Sequence, residues 1–371
     1  MKNSKHYKYI HIIWGNELKF FSRLVEIINR PENRLQPEEH LFVTPYTEVY
    51  EALKDKGTFE FINIKNKRSG NIVNLYGSRG DWIFIHNICS PSEGLKIKRK
   101  YLNKIIWRTW GSDVGYSLST GNTIKRMLKR TINYFWKKAV RSFYAVGVAN
   151  IVDKLDITKR YGQLNFVSVP YAAEGGYDSL LEAKENMAEH KGINVLIGHS
   201  GYSNDNHIAI MKNLEKYKQE DITLYLTLSY GIKEYIDEIK SYVSSVWGKK
   251  AIIIEEFMPY SDFAKHLSNM DVAIFDGKLA YALGNIGMLV FLDKKLFLNS
   301  EGVIKEAFDK EGLPYETTSN IEDMSFEKFS SSVVYSDIQK QKLCSKPYIH
   351  SVEIWRNLLE TLDKKSNEVN I

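Results

Sequence analysis

Residues 193–218 read INVLIGHSGYSNDNHIAIMKNLEKYK. The apolar run at 193–197 has the length and composition of a buried strand. A turn rich in glycine and hydroxyl residues follows, and apolar residues at helical spacing then extend to Lys218. A strand, a glycine-rich turn and a helix in that order are typical of a parallel α/β sheet. This stretch therefore predicts the fold class of the second half of the chain.

The same alternation of strand and helix extends in both directions from this stretch. Apolar runs predict further strands, which lie at 8–14, 40–44, 58–64, 71–75, 81–88, 104–110, 143–147, 165–169, 222–228, 251–255, 272–275 and 288–292. We therefore predict an α/β protein with two Rossmann-like lobes and a central cleft. The first lobe spans 1–175, the second spans 176–345, and a final helix occupies 346–371. Parallel sheets bind ligands outside the carboxyl ends of their strands, so the cleft is the expected site.

Composition excludes several classes of protein. The 371 residues are 43% apolar and 26% charged, close to the average for soluble globular proteins. Two cysteines, Cys89 and Cys344, cannot form a disulfide framework or a cysteine-based zinc site. The N-terminus lacks the long apolar core of a signal peptide, and no window is long and apolar enough to span a bilayer. These features predict a cytoplasmic protein.

Positive charge is concentrated in one segment. Between Glu93 and Asn150 there are 13 Lys or Arg residues and two acids, a net charge of 13 − 2 = +11, whereas the whole chain carries +6. Residues 120–144 contain neither an acid nor a proline, and aromatic residues alternate there with the basic ones. This pattern predicts a long amphipathic helix at the surface, with Ser119 or Thr120 as its cap.

Three interpretations of this segment remain open: a solvated basic face, a surface that binds anionic lipid, and a nucleic-acid site. Lipid binding is favoured because each basic residue contributes about 1 kcal/mol at an anionic leaflet. No nucleic-acid motif accompanies the segment, so we expect no nucleic-acid partner. The residues expected to meet the membrane are Lys125, Arg126, Lys129, Arg130, Lys137, Lys138 and Arg141.

The turn after the strand at 193–197 is the first candidate binding site. Backbone N–H groups at a helix start can bind an anion, and glycine allows it to approach closely. The alternative interpretation is an ordinary turn whose Ser or Asn caps the helix. The candidate ligands of a phosphate here are Gly198, Ser200, Gly201, Ser203 and Asn204.

Three further segments of the second half carry candidate binding residues. Gly284, Asn285 and Gly287 form a second glycine-bearing loop, which could supply more N–H donors to a diphosphate. Tyr230 follows another strand and could stack on a base. Glu255 ends a strand and could accept sugar hydroxyls, although a solvent-facing strand end is an equal alternative. The second loop lacks the Lys-Ser/Thr ending of a Walker A motif and is not a G-x-G-x-x-G fingerprint.

The first half carries the candidate catalytic residues. Asp113 ends the motif W-x-x-W-G-S-D at 107–113, and the surrounding cations are expected to keep it ionised. We predict Asp113 as the general base and His11 as the second candidate, since a histidine takes up a proton near neutral pH. The alternatives are a structural ion pair or cap for Asp113 and a core position for His11. No H-E-x-x-H or D-x-D pattern is present, so we expect no metal and no cofactor.

The motifs at 107–113 and at 197–207 (I-G-H-S-G-Y-S-N-D-N-H), together with 258–275 and 284–292, resemble a known family. It is the bacterial dTDP-N-acetylfucosamine:lipid II N-acetylfucosaminyltransferase family of enterobacterial common antigen synthesis. Their order and spacing agree as well as their letters. The chain departs from the family pattern at Ser112, at His199 and around 276–281.

The resemblance implies a glycosyltransferase of the GT-B type. It implies metal-independent transfer, with inversion, of an amino-deoxy sugar such as N-acetylfucosamine. The dTDP-sugar would lie on the second lobe. The acceptor, a glycan on undecaprenyl pyrophosphate, would lie on the first lobe at the cytoplasmic face of the inner membrane. The fold of the family also implies that the final helix crosses back to the first lobe.

Three other functions remain open at this stage. A capsule or O-antigen transferase would differ only in its sugars. A nucleotide-sugar epimerase of the same two-lobed fold would need no lipid acceptor and no basic face. A two-lobed solute-binding protein would normally require an export signal.

Overall fold

The computed structural model describes residues 5–110, 113–115, 122–171, 175–343 and 347–369. The chain divides into two compact units. The first unit is Met1–Ala173 with Tyr348–Ile371, and the second unit is Glu174–Pro347.

Within the described residues, the first unit contains a seven-stranded parallel sheet. Its strands are β1 (Tyr7–Ile13), β2 (His40–Thr44), β3 (Glu60–Asn63), β4 (Gly80–His86), β5 (Ile105–Arg108), β6 (Ala145–Val148) and β7 (Phe166–Ser168). They lie in the order β3-β2-β1-β4-β5-β6-β7. The helices that connect them are α1 (Leu18–Asn29), α2 (Thr47–Leu53), α3 (Ser69–Tyr76), α4 (Pro91–Gly94), α5 (Arg99–Leu102), α6 (Thr123–Val140) and α7 (Ile151–Tyr161).

The second unit repeats this plan with six parallel strands among its described residues. They are β8 (Ile193–Ile197), β9 (Ile222–Thr227), β10 (Ala251–Ile254), β11 (Val272–Phe275), β12 (Lys295–Leu298) and β13 (Glu316–Thr317), in the order β10-β9-β8-β11-β12-β13. The helices are α8 (Gly176–Glu185), α9 (His207–Leu214), α10 (Lys233–Tyr242), α11 (Tyr260–Ser268), α12 (Leu283–Phe291), α13 (Val303–Glu311), α14 (Phe326–Ser330) and α15 (Asp337–Leu343).

Short helical turns complete the backbone. They are 3-10 turns at Pro31–Asn33, Pro37–Glu39, Gly77–Arg79, Ser203–Asp205, Glu215–Tyr217, Gly248–Lys250 and Thr318–Ile321, and a π-helical turn at Val243–Trp247.

The last helix, α16 (Tyr348–Val369), belongs to the first unit. Trp355 is fully buried in the core of that unit, and its indole N–H donates to the carbonyl of Pro170 at 3.0 Å. Lys8 in β1 forms an ion pair with Asp363 at 3.0 Å. The C-terminal helix therefore packs against the sheet of the first unit.

Two predicted strands are helices in the structure. Residues 71–75 lie in α3, and residues 288–292 lie in and just after α12, so the strand predictions there are wrong. Every residue from Ile286 to Phe291 is buried. A segment that is apolar on all sides has no helical period in its sequence, so periodicity alone cannot distinguish it from a buried strand.

Candidate functional site

The strand order locates the candidate site in each unit. Both sheets change direction of winding next to their first strand, between β1 and β4 and between β8 and β11. In doubly wound sheets, ligands bind at the carboxyl ends of the strands at this switch point. The loops after these four strands are therefore the places to examine.

A buried carboxylate organises the turn after β8. Asp205 is 1% exposed, and its Oδ2 accepts hydrogen bonds from the backbone N–H of His199 at 3.1 Å and of Ser200 at 3.0 Å. The Ser200 hydroxyl donates to the same oxygen at 2.9 Å, and His199 Nδ1 lies 3.1 Å from Oδ1. Burial raises the pKa of Asp205, but the hydrogen bonds and charge of His199 outweigh it, so the pKa is lowered overall.

These contacts change the interpretation of Ser200. Sequence analysis predicted that this turn would bind an external phosphate, with Ser200 as a ligand. The Ser200 N–H and hydroxyl instead donate to Asp205, so the protein supplies its own anion to the turn. Ser203 and Asn204 are exposed beside it.

A close backbone contact joins the turn to the loop after β9. The N–H of Gly201 donates to the carbonyl of Tyr230 at 2.6 Å, and the N–H of Ile232 donates to the carbonyl of Gly201 at 3.0 Å. A Cβ atom on Gly231 would lie 2.3 Å from the carbonyl carbon of Gly201, so only glycine fits. This contact holds the half-exposed ring of Tyr230 beside the turn.

The loop after β11 packs against the same turn. The Tyr281 ring stacks on His199 with centroids 5.2 Å apart, and its hydroxyl donates to the carbonyl of Asn204 at 2.9 Å. A Cβ atom on Gly277 would lie 1.4 Å from the Tyr281 hydroxyl, so glycine at 277 is required for this stacking. The aromatic rings around the turn therefore come from two different loops.

The start of α12 is a candidate anion site in the second unit. Gly284 and Asn285 lie in its first turn, where backbone N–H groups have no helical acceptor. No acidic residue lies in this turn, and the space beyond Gly284 is empty to 4 Å. The helix dipole and these N–H groups favour an anion. Gly287, predicted in the same loop, is buried within the helix.

Other polar groups at this sheet edge have structural partners. Asp276, after β11, accepts hydrogen bonds from Asn206 and Asn299 at 2.8 and 2.9 Å and from the Thr318 hydroxyl at 2.5 Å. Glu255, a predicted sugar ligand, follows the edge strand β10 and forms an ion pair with Lys240 at 2.5 Å. Gly198 lies against the buried ring of His207, since a Cβ atom on it would be 2.6 Å from His207 Nε2.

In the first unit, Asp113 is buried and fully hydrogen-bonded. Its Oδ2 accepts from Trp107 Nε1 at 2.7 Å and from the N–H of Ile88 at 3.1 Å, and its Oδ1 accepts from the N–H of Trp110 at 2.9 Å. Burial raises its pKa, and these donors act in the opposite direction. Sequence analysis expected surrounding cations to control this group. The geometry favours a structural role, joining β4 to β5, over the predicted role of general base. Gly111 and Ser112 of the motif lie outside the described residues.

His11 lies in the middle of a buried chain of three histidines. Its Nε2 is 2.8 Å from His40 Nδ1, and its Nδ1 is 3.0 Å from His86 Nε2. His40 Nε2 is 3.1 Å from the carbonyl of Leu35, and His86 Nδ1 is 2.5 Å from the hydroxyl of Tyr171.

The direction of the hydrogen bonds along this chain of histidines follows from the contact of His40 with the carbonyl of Leu35. A carbonyl only accepts, so His40 carries its proton on Nε2, and its Nδ1 must accept from His11. The same reasoning puts the protons of His11 and His86 on Nε2. Tyr171 must then donate to His86. Burial lowers the pKa of His11, and it lowers the pKa of His40 and of His86 to about 3, so all three rings are neutral.

The chain ends in an aromatic cluster at the carboxyl edge of the sheet. The Tyr171 ring lies 6.1 Å from Trp110 and 6.0 Å from Phe20, and the Arg108 guanidinium lies 5.2 Å above it. Burial raises the pKa of Tyr171 to about 12. Tyr171 is partly buried, whereas the three histidines are fully buried. It is therefore the most exposed member of the chain.

Helix α6 presents an apolar stripe to solvent. Ile124, Met127, Leu128 and Phe135 are 78%, 70%, 60% and 51% exposed. At 100° per residue they lie on one side of the helix, and Trp136, which anchors α6 to the core, lies on the other. Asn122 caps the helix by accepting from the N–H of Lys125 at 2.9 Å. The predicted caps, Ser119 and Thr120, lie outside the described residues.

The predicted membrane residues lie along this helix and just after it. Lys125, Arg126, Arg130, Lys138 and Arg141 are exposed, and Lys129 and Lys137 are partly buried. Among the described residues, no helix is long and apolar enough to cross a membrane. No group of three or more His, Cys, Asp or Glu side chains in the described ranges is arranged to hold a metal ion.

Sequence analysis missed Asp205, Tyr281, His40 and Tyr171. The D at position 205 was within the quoted motif, and its spacing from the glycine turn was the available signal. The other three act through contacts between distant segments, which no local pattern records.

Several solved structures share this fold. A glycosyltransferase from Rickettsia africae superposes with a TM-score of 0.57 at 13% identity, over 99% of this chain and 98% of that one. Anabaena HepE in complex with UDP and glucose gives 0.61 at 11% identity, over 97% and 100%. A UDP-forming trehalose-phosphate synthase from Burkholderia vietnamiensis gives 0.57 at 7% identity, over 98% and 100%. These structures identify the fold as GT-B, as predicted.

The family is shown by a sequence model. No curated protein sequence matches the chain. Residues 52–363, however, match the model of the 4-alpha-L-fucosyltransferases, glycosyl transferase group 56. That range includes the tryptophan-rich motif, both glycine-bearing segments and most of α16. The chain therefore belongs to the 4-alpha-L-fucosyltransferase family and is a glycosyltransferase.

Proposed function

We propose that this enzyme transfers an amino-deoxy sugar resembling N-acetylfucosamine from a dTDP-sugar to a glycan on undecaprenyl pyrophosphate. The transfer inverts the anomeric carbon and needs no metal ion. The enzyme acts at the cytoplasmic face of the inner membrane. The observation that carries the proposal is the match over residues 52–363 to the fucosyltransferase family. Solved neighbours with the same fold include proteins in complex with UDP, which supports a nucleotide-sugar donor.

In this proposal the donor binds at the carboxyl edge of the second sheet. The diphosphate lies at the start of α12, where Gly284 and Asn285 offer backbone N–H groups. Tyr230 and Tyr281 both contact His199 in the turn that Asp205 organises, and the half-exposed Tyr230 provides a face for the base. Gly198, Gly201, Ser203 and Asn204 line the same turn, and Glu255 remains a candidate for the sugar hydroxyls.

The chemical step uses the histidine chain of the first unit. The acceptor hydroxyl gives its proton to the Tyr171 oxygen while Tyr171 passes its own proton to His86 Nδ1. The acceptor oxygen then forms its bond to the anomeric carbon as the bond to the diphosphate breaks on the opposite face. The charge that develops on the leaving diphosphate is stabilised by the N–H groups of α12. His86 passes its Nε2 proton on to Nδ1 of His11, so the proton finally resides on His11, which replaces Asp113 as our first candidate base.

The lipid-linked acceptor requires contact with a membrane, and α6 supports this. Its apolar stripe is available for insertion among lipid headgroups, and basic residues flank it. Reversing Lys125, Arg126 and Arg130 to Glu is expected to release the protein from anionic vesicles at low salt. Replacing Ile124, Met127 and Leu128 by Ser should weaken binding at high salt too. Unchanged vesicle binding in both variants would refute the membrane role of α6.

The central test is product formation. The purified protein is incubated with dTDP- and UDP-linked sugars, with and without a polyprenyl diphosphate-linked glycan, and the products are separated by mass and by anomeric configuration. We expect transfer only when both a dTDP-sugar and the lipid-linked glycan are present, and we expect an inverted linkage. A changed sugar nucleotide in the absence of acceptor would indicate an epimerase. Transfer to a different glycan would indicate a related capsule or O-antigen transferase.

A further inference from the structure

A cavity of about 320 Å³ lies between α6 and α7 in the first unit. The side chains that decide its chemistry are Arg130, Tyr134, Trp136, Lys137, Arg160 and Tyr161. Its volume is at the small end of the range for ligand sites. Neither the donor site nor the histidine chain includes any of these residues.

The cavity is cationic. Three of its lining residues are basic, and no acidic residue lines it. Arg160 is partly neutralised by Asp156, whose carboxylate is 3.0 Å from its Nε. Arg130 and Lys137 have no acidic partner within 4 Å among the described residues. Cationic side chains that line one cavity suit a phosphate group, which Arg can bind through two parallel N–H donors.

The cavity lies next to the apolar stripe of α6. Arg130, Tyr134 and Lys137 are spaced by four and three residues, so they lie on one side of the helix. Tyr134 lies seven residues after Met127 and is 57% exposed. The cationic side of α6 therefore borders the stripe of exposed apolar side chains. A ligand that fills the cavity and contacts the stripe must carry a phosphate next to a long apolar chain.

We propose that this cavity binds the diphosphate of the lipid-linked acceptor, with the polyprenyl chain leaving along the apolar stripe of α6. This inference rests on the proposed function, because it assigns the phosphate subsite of that acceptor. A phospholipid headgroup offers the same phosphate chemistry as a single ester. The diphosphate is favoured because two adjacent phosphates can engage Arg130 and Lys137 together.

The test compares two pairs of substitutions that remove the same charge from α6. R130Q/K137Q changes the cavity, and K125Q/R126Q changes two exposed residues that do not line it. Binding of farnesyl diphosphate, inorganic diphosphate and phosphatidylglycerol vesicles is measured for the full chain. We expect R130Q/K137Q to weaken binding of both diphosphates about tenfold or more, and K125Q/R126Q to change it less than about twofold. Both pairs should weaken vesicle binding similarly.

Further variants separate the possible outcomes. R130K/K137R keeps both charges and should restore diphosphate binding, which a misfolded protein would not. If both Gln pairs weaken diphosphate binding equally, or if neither does, the cavity is not the site. If R130Q/K137Q weakens only vesicle binding, and weakens it more than K125Q/R126Q does, the cavity binds phospholipid headgroups and the inference is wrong.

These measurements use no sugar donor, so they remain valid if the proposed transfer reaction is wrong. Conversely, if transfer occurs but R130Q/K137Q leaves the KM for the lipid-linked acceptor unchanged, the proposed function stands and this inference fails.

Discussion

The two sheets have the same strand order around the switch point, but the residues at that point differ in their chemistry. In the first unit, three neutral histidines and an aromatic cluster lie at and below the carboxyl edge. In the second unit, the carboxylates of Asp205 and Asp276 hold the loops, and the first turn of α12 leaves N–H groups open. The two sheets therefore present different side chains and loops at the same place in the fold, and function follows from those groups and not from the sheet topology. We propose proton transfer and acceptor binding for the first unit and binding of the donor diphosphate for the second.

The largest effect is expected from Tyr171→Phe. Loss of the hydroxyl interrupts the path from the acceptor to His86 and should lower kcat about 10²-fold or more, since general-base catalysis contributes 10²–10⁴-fold. Donor affinity should not change, because Tyr171 belongs to the first unit. Single-turnover kinetics and donor titration measure the two quantities separately.

Tyr202→Phe is the matched control for that substitution. Tyr202 is exposed in the second unit, so any effect should appear in the donor affinity and not in the chemical step. Normal turnover in Tyr171→Phe would remove the assignment of proton transfer to the first unit.

Acid should destabilise the first unit more than the second. The pKa values of His11, His40 and His86 are lowered by burial, so below pH 6.5 the unfolded chain binds more protons than the folded one. Stability then falls as pH falls. Each of these residues should cost about 1 kcal/mol between pH 6.5 and 5.5, or about 3 kcal/mol for the first unit.

In the second unit, burial lowers the pKa of His207 to about 4 and also lowers that of His266. Because only these two histidines among the described residues are concerned there, a smaller loss of stability is expected. The raised pKa values of Asp113 and Asp153 oppose the trend in the first unit and reduce the difference. Hydrogen exchange at pH 7, 6.5 and 5.5, resolved by segment, measures both units at once. Equal losses in the two sheets would contradict the neutral state of the histidine chain.

Asp205→Asn and Asp113→Asn should have different effects on donor affinity. The substitution removes the charge that four donor groups share, and it should lower the stability of the second unit by about 2 kcal/mol. The turn would lose its shape, so the KM for the donor should rise.

In the first unit, Asp113→Asn should destabilise β4 and β5 to a similar degree without changing donor affinity. Donor titration measures the donor affinity of both variants, and segment-resolved hydrogen exchange measures the stability of each unit. An effect of Asp113→Asn on donor affinity would weaken the division between the units.

The smallest effect is expected from Glu255→Gln. Its ion pair with Lys240 is exposed, and such pairs contribute less than about 1 kcal/mol to stability. If Glu255 also accepts sugar hydroxyls, the KM for the donor should rise while the melting temperature stays constant. Lys240→Gln breaks the same ion pair from the other side and serves as the control. Equal KM values in the two variants would assign Glu255 to the surface alone.

Sequence analysis predicted the alternation of strands and helices well because the strands are short apolar runs in a parallel sheet. It failed at 288–292, where α12 is buried on every side, and at 71–75 in α3. A turn follows β8 at 198–201, and Gly201 makes a close backbone contact there. Its role in binding stays a prediction. The family and the GT-B fold followed from the motifs.

The contacts of the candidate site were harder to predict. Asp113 was chosen because it is the sole acid in a basic stretch, but its environment is set by Trp107 and by the N–H of Ile88, which are packing contacts. His11 was chosen as a histidine within an apolar strand, and its two partners lie on neighbouring strands at 40 and 86. Such relations depend on strand register and emerge only when the sheet is assembled.

Helix α16 supplies Trp355 and Leu362 to the core of the first unit. The first unit is therefore synthesised first, but its core is completed last. The second unit has all its strands before residue 318 is made. The first sheet, although synthesised earlier, leaves Tyr9 and Trp82 uncovered until the last helix leaves the ribosome. A chain that stops short by those final turns would keep the described strands of the second unit and expose an apolar surface on the first unit, where quality-control proteases would recognise it.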